Sequence, residues 1–266
     1  MGSSRHANHA DWAGRTRVIA VLLSFLSRVA PITMGKQMIN IVSCVWKRPE
    51  RLTYTLMQLE KQINRNFSLS LINNNCELVN FVEQTIDTLN LTYSVQVIHN
   101  KQNRGPFARW ETMYQCKDDS DWFMTLDDDA IFDDTLIEQW ARQRERNVML
   151  GWNGFLFSGD YWTRIDRQPG EHCDYLWGSN LCLDARLIDE NILGLPQRYW
   201  NCDDLWACGY CKYTKGAQLK KADINNFSIN VDGKDTYIRL HGLKIEALNW
   251  MRESFGWFNR ENKNAH

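Results

Sequence analysis

The sequence has no excess of charge of either sign: 31 Lys and Arg stand against 32 Asp and Glu, a formal net charge of −1 over 266 residues. Attachment to nucleic acid by bulk charge is thereby excluded as the basis of function. It also lacks a run of the roughly 20 apolar residues that span a bilayer, since the stretch Val18 to Leu26 stops at Ser27 and Arg28. There is no cysteine framework: the eight cysteines (44, 76, 116, 173, 182, 202, 208 and 211) are scattered over a long chain, the usage of reduced thiols in a cytoplasmic setting rather than of a disulfide scaffold. Cys208-Gly-Tyr-Cys211 has no second CxxC to complete a zinc site. Internal repeats and low-complexity linkers are missing too.

What is present is ordinary globular material. Hydrophobic residues make up 44% and charged residues 24%, enough for a sizeable core and far from the composition of disordered chains. Residues 1–37 form a polar, tag-like stretch and the short apolar run. Arg15 and Arg17 flank that run as in a signal peptide, but Arg28 stands where a small-x-small cleavage site belongs. We read 1–37 as a leader, loose or surface-packed, without stable membrane insertion, and with Met34 or Met38 as an alternative start. Twelve Trp is a high count, and tryptophan lines ligand grooves as well as cores.

From Met38 the periodicity becomes regular. MINIVSCV, FSLSLI (67–72), SVQVIH (94–99) and WFMTL (122–126) have strand character, and the segments between them carry leucine or isoleucine at helical spacing. The pattern predicts an α/β fold with a mostly parallel sheet flanked by helices, its ligands at the carboxyl ends of the strands. Further on, the reading gives a helix over 134–146, a strand at 148–150, an aromatic loop over 152–162, helical signals at 184–192 and 203–213, a strand at 217–220 and a helix over 243–255. The economical organisation is a single domain over 38–266 with an elaborated C-terminal half.

Three aspartates, Asp127, Asp128 and Asp129, directly follow the apolar strand WFMTL. Adjacent like charges repel, so something cationic is expected there. Strand alternation puts Asp127 and Asp129 on one face, and paired hard oxygens suit Mg²⁺ or Mn²⁺ shared with nucleotide phosphates. The bland alternative is an acidic cap on the following helix.

Ser43-Cys-Val-Trp46 with Lys47-Arg-Pro-Glu-Arg-Leu52, the LINNN turn, NRGPFARW (103–110) and WFMTLDDDAIF together resemble the nucleotide-sugar-dependent glycosyltransferases of the GT-A fold, a Rossmann-like fold, and specifically the family-2-like members. The resemblance covers 38–130 well and the rest more loosely. It implies a nucleotide-sugar-binding half over 38–130, an acceptor-binding half over 131–266, and transfer of a sugar, with inversion, from a nucleoside-diphosphate sugar to an acceptor hydroxyl. It further implies Asp129 as metal ligand, Asp127 and Asp128 as donor-binding, and His241 as a third metal ligand. The family commonly has an Asp at the turn where this chain reads Asn73-Asn74-Asn75; Asn73 takes the place beside the nucleobase, and amides pair with a uracil edge, so a UDP-sugar is favoured. Arg104 and Arg109 suit diphosphate oxygens, with solvated surface arginines as the alternative. Asp203-Asp204 matches the late acidic pair: Asp204 is assigned as base and Asp203 as its neighbour. Trp177 and Gly178, in WGSN, match the segment facing acceptor and donor sugar, and Trp206 is expected to extend the acceptor groove.

Two rival functions stay open at this point. A nucleotidyltransferase would carry glycine in its first phosphate loop, and WKRPERL has none. A non-catalytic carbohydrate-binding module would keep the aromatics without needing every acid. The acceptor is open among sugars, lipid-linked sugars, protein side chains and a hydroxymethylated DNA base, so a nucleic acid enters as acceptor only.

Overall fold

The computed structural model describes residues 38–230 and 238–259; the expected leader lies outside them. Strand β1 (Ile39–Val45) is buried nearly throughout. Pro49 opens a single 3₁₀ turn, for which its fixed φ is suited, and this runs into α1 (Leu52–Glu60). β2 (Phe67–Asn73), α2 (Val79–Leu89), β3 (Ser94–His99), α3 (Ala108–Gln115) and β4 (Trp122–Leu126) continue the alternation at the positions the periodicity predicts. α2 stops at Asn90, whose φ of 47° reverses the chain.

After β4 come β5 (Ala130–Ile131), α4 (Leu136–Gln143), β6 (Val148–Gly151), β7 (Gly154–Phe157), β8 (Arg164–Asp166), β9 (Tyr175–Leu176) and β10 (Leu181–Asp184). The chain ends in α5 (Asp203–Gly209), β11 (Gln218–Lys221), β12 (Ser228–Ile229) and α6 (His241–Phe255). Seven strands form one sheet in the order β11-β6-β10-β4-β1-β2-β3. β1 pairs in parallel with both β2 and β4, β2 with β3, and β6 with β11. β10 is antiparallel to both neighbours.

Several expectations in the second half need correction. The aromatic stretch 152–162 contains β7, the centre of a separate three-stranded antiparallel sheet with β8 and β9. The helical signal at 184–192 resolves into two short 3₁₀ segments, Ala185–Leu187 and Glu190–Gly194. α4 is shorter than the 134–146 expected, since Arg144 is extended at ψ 137°. Such segments fail by periodicity because short apolar runs fit either period and tertiary pairing decides.

Two apolar layers enclose the sheet. One, around Ile39, Leu56, Leu69, Met124 and Trp140, lies under α1, α2 and α4. The other, around Trp110, Phe123, Tyr175, Leu205 and Met251, lies under α3, α5 and α6. β10 then fixes the site: because it runs against β4, its amino-terminal end meets the carboxyl end of β4. The Asp127 N–H donates to the Ser179 carbonyl at 3.1 Å. Asn180 locks the register, its amide donating to the Thr125 carbonyl at 2.9 Å and accepting from the Trp140 indole at 2.9 Å.

Candidate active site

The three aspartates stand where central strand β4 ends, but not as an extended strand. They form a turn closed by the Ala130 N–H on the Asp127 carbonyl at 3.2 Å, so the alternation expected of Asp127 and Asp129 does not hold. Instead Asp128 and Asp129 share Arg48, at 2.8 and 2.6 Å, and Asp127 turns to Arg109 at 2.7 Å. Burial pushes the Asp128 carboxyl up to about 7 against the pull of Arg48, and the charges of Asp127 and Asp129 add to the rise. Asp127 is raised as well, by desolvation first, while Arg109 opposes it; its side chain nonetheless keeps 39% of its surface open to solvent.

Arg109 joins three elements. From α3 it reaches Asp127, the Gly178 carbonyl at 3.0 Å and Asp203 at 3.1 Å. Desolvation of this buried guanidinium is more than offset by Asp203 and Asp127, which hold it firmly charged. Expected at a diphosphate, Arg109 is a buried strut. Asp203 is held by Arg109 and by the Trp110 indole at 2.9 Å. Its carboxyl is raised by burial, with Arg109 pulling the other way. At the end of β1, burial pushes the Cys44 thiol up to about 12.

Asp204, in the first turn of α5, has both oxygens occupied. Oδ1 accepts from Lys244 at 2.8 Å and from the Leu205 N–H at 2.8 Å. Oδ2 accepts from the Tyr175 hydroxyl and from the Gly178 N–H at 3.4 Å. Burial favours the neutral acid, but Lys244 and these hydrogen bonds outweigh it and hold the carboxyl below its ordinary range. Gly178 is required here: a Cβ on it would lie 2.9 Å from Asp204 Cβ.

The Asn73–Asn75 turn is committed to its own scaffold. Asn73 is fully buried; its side-chain Oδ1 accepts from the Asn75 N–H at 3.0 Å and its side-chain Nδ2 lies 3.1 Å from His99 Nδ1. Asn74 bridges Asn100 at 2.8 Å and the Gly105 carbonyl at 2.9 Å. Arg104 pairs with Glu111 and stacks over Trp200 with 4.4 Å to the ring centroid, so the structure gives it partners other than a phosphate.

The remaining expectations divide. Trp177 packs with Phe155 and Trp152 at centroid distances of 5.4 and 6.3 Å. Trp206 is a core residue rather than a groove wall: its indole donates to the Ile192 carbonyl at 2.7 Å inside a cluster with Tyr210, Trp250 and Trp257. His241 stacks flat on Trp162, centroids 4.6 Å apart. Among the described residues no three His, Cys, Asp or Glu side chains converge as a cation cage, so the structure does not gather His241 with Asp127 and Asp129. Tertiary packing of α6 on Trp162 decided this, which spacing could not foresee. Asp129 still fits a cation: its Oδ1 is buried without a hydrogen-bond partner, as is Ser179 Oγ, and a hard carboxylate oxygen in that condition suits Mn²⁺ or Mg²⁺.

Sequence reasoning missed Arg48, Tyr175 and Lys244. For Lys244 a signal existed: Lys244, Ala247, Leu248 and Met251 are the buried positions of α6, the i, i+3, i+4, i+7 stripe of a core-facing helix. A lysine on that stripe needs a buried partner.

Comparison with solved structures decides the fold. The chain aligns over 85% of its length with the mannosyltransferase PcManGT from Pyrobaculum calidifontis in complex with GDP-Man and Mn²⁺, at TM-score 0.61 and 11% identity, covering 66% of that chain. The fold is GT-A. Two further structures agree: GalNAc-T7 with UDP, GalNAc and Mn²⁺ (TM-score 0.53, 14% identity, 70% of this chain and 42% of that one) and residues 1–349 of S. aureus TarS in complex with UDP (0.52, 16%, 85% and 73%). The chain thus spans slightly under two thirds of the first of these GT-A structures. No protein-family model and no curated protein sequence matches it.

Proposed function

We propose that this GT-A chain is a metal-dependent, inverting glycosyltransferase that moves a sugar from a nucleoside-diphosphate sugar, with UDP-sugars favoured, to an acceptor hydroxyl. The observation that carries the reading is the convergence, at the carboxyl end of β4, of the Asp127–Asp129 turn, Gly178 and the buried pair Asp203-Asp204. A binding module would not need to bury two adjacent carboxylates beside a third and fourth, at a cost of several kcal/mol per ion before compensation. The GDP-Man and UDP complexes of the fold relatives support the donor class.

In this reading 38–130 carries the donor and 131–266 the acceptor. Asp129 would hold Mn²⁺ or Mg²⁺ through the oxygen that lacks a partner, since a hard carboxylate oxygen suits a hard cation. The bound cation supplies positive charge against which the diphosphate departs. Asp127, open to solvent, takes the ribose or sugar hydroxyls, with Asp128 beside it. Asp204 is the base. The acceptor O–H breaks as its oxygen bonds to the anomeric carbon; the proton passes to Asp204, and the bond to the diphosphate breaks with its electron pair leaving on the diphosphate oxygen. Asp203 positions this assembly through Arg109. Free thiols at all eight cysteines support a reducing, cytoplasmic setting, and no helix among the described residues is long and apolar enough to cross a membrane.

Two variants test the assignment by calorimetry and turnover. Asp129→Ala is expected to lose Mn²⁺-dependent donor binding. Asp204→Asn is expected to bind donor as before and lose transfer by roughly 10²–10⁴-fold, the worth of a positioned base. Full turnover in Asp204→Asn refutes the base, and equal donor affinity with and without Mn²⁺ in the wild type refutes the metal.

A further inference from the structure

Lys244 is only 3% exposed and comes to the site from α6, forty residues beyond its partner Asp204. Its place is unfavourable for the helix itself, since a cation in the first turn opposes the helix dipole. Burying an ammonium costs several kcal/mol unless a partner compensates, and here the Asp204 carboxylate at 2.8 Å compensates. The ammonium also lies 5.4 Å from the centroid of Tyr161, whose hydroxyl is 2.8 Å from that of Tyr175. Tyr175 in turn donates to the other oxygen of Asp204. The carboxylate is therefore gripped from α6 on Oδ1 and from β9 and Gly178 on Oδ2.

Resting on the reading of Asp204 as base, we infer that Lys244 is a positioning residue that fixes the Asp204 carboxylate through Oδ1 and holds it in place as the acceptor of the proton. Lys244 and the acceptor need not touch. The groups facing Asp204 are Lys244 from α6, Tyr175 from β9 with Tyr161 behind it, Asp203 and Cys208 on its own helix, Cys202 just before it, and Asp127 from the β4 end. Among the described residues Lys244 is the one cation in hydrogen-bond contact with it. With that charge gone, burial and the neighbouring acids act on Asp204 in the direction of protonation.

The test compares wild type, Lys244→Met, Lys244→Arg and Asp204→Asn in the full chain, by the pH dependence of kcat/KM and by calorimetric donor affinity with Mn²⁺. In Lys244→Met the acid limb is expected to move up by about one pH unit or more, so that kcat/KM at a pH on that limb falls about tenfold, while donor affinity stays within about twofold. On the plateau above both acid limbs, a residual loss of roughly three- to tenfold reports orientation alone. Lys244→Arg is expected to restore the limb. Should Lys244→Met fail to fold by urea denaturation, Lys244→Gln, similar in length and able to donate but uncharged, reads the same limb. An unmoved limb in a folded uncharged variant, or an arginine variant indistinguishable from methionine, overturns the role of Lys244 and leaves the base standing. Full turnover in Asp204→Asn overturns the base itself, and Lys244 with it.

Discussion

Gly178 shows how a single missing methyl shapes a site. With no side chain it lets the Asp204 carboxylate lie against the start of β10 and donates its own N–H to that carboxylate. Gly178→Ala places a Cβ at 2.9 Å from Asp204 Cβ and 3.3 Å from an Arg109 nitrogen, so backbone must move. Overpacking of this kind costs about 1–3 kcal/mol. The expected outcome is a folded protein with transfer reduced at least tenfold and donor affinity little changed, read by urea denaturation alongside kinetics; wild-type turnover refutes the close approach. The sequence showed a glycine after tryptophan in a resembling segment. The atom it must accommodate, contributed 26 residues later, was not visible there.

At the scale of elements, Arg109 is the link that joins α3, the β4 end and α5. Position 109 reads in sequence as one of two arginines near a diphosphate; in the fold it lies inside, because α3 turns Ala108, Arg109, Thr112 and Met113 inward together. Arg109→Met leaves Asp127 and Asp203 without their cation. Breaking a buried pair in this way costs about 3–5 kcal/mol, and the urea midpoint is expected to fall accordingly with the slope unchanged. An Arg109→Met protein as stable as wild type refutes the strut. The four parallel strands β1 to β4 were legible because β1 and β4, buried on both faces, read as near-continuous apolar runs and β2 and β3 alternate. β7, β9 and β12, of two to four residues, were not, since so few positions carry no period.

For the whole molecule, the GT-A sheet brings the acidic residues together at the carboxyl end of central strand β4, and anything that binds only the folded state raises the melting temperature by mass action. A panel of UDP-, GDP-, CMP- and TDP-sugars, each with Mn²⁺ or EDTA, is expected to give a shift for one nucleotide class, present with Mn²⁺ and absent with EDTA. A free donor concentration of 100 times Kd corresponds to about 2.7 kcal/mol. The absence of any shift refutes the donor reading and favours glycan binding instead.

The sequence by itself determined the alternation from β1 to β4, the run of three acids at the end of β4 and the acidic pair that opens α5, because these are local: apolar runs of one period, then charges that no strand interior tolerates. Only the tertiary structure decided which charges meet. The antiparallel course of β10 brings Gly178 to the aspartates, α3 turns Arg109 inward, and α6 returns from the end of the chain to set Lys244 on Asp204. Those pairings span 26 to 94 residues, and the free energy of a buried charge depends on its partner in space, which residue order does not record.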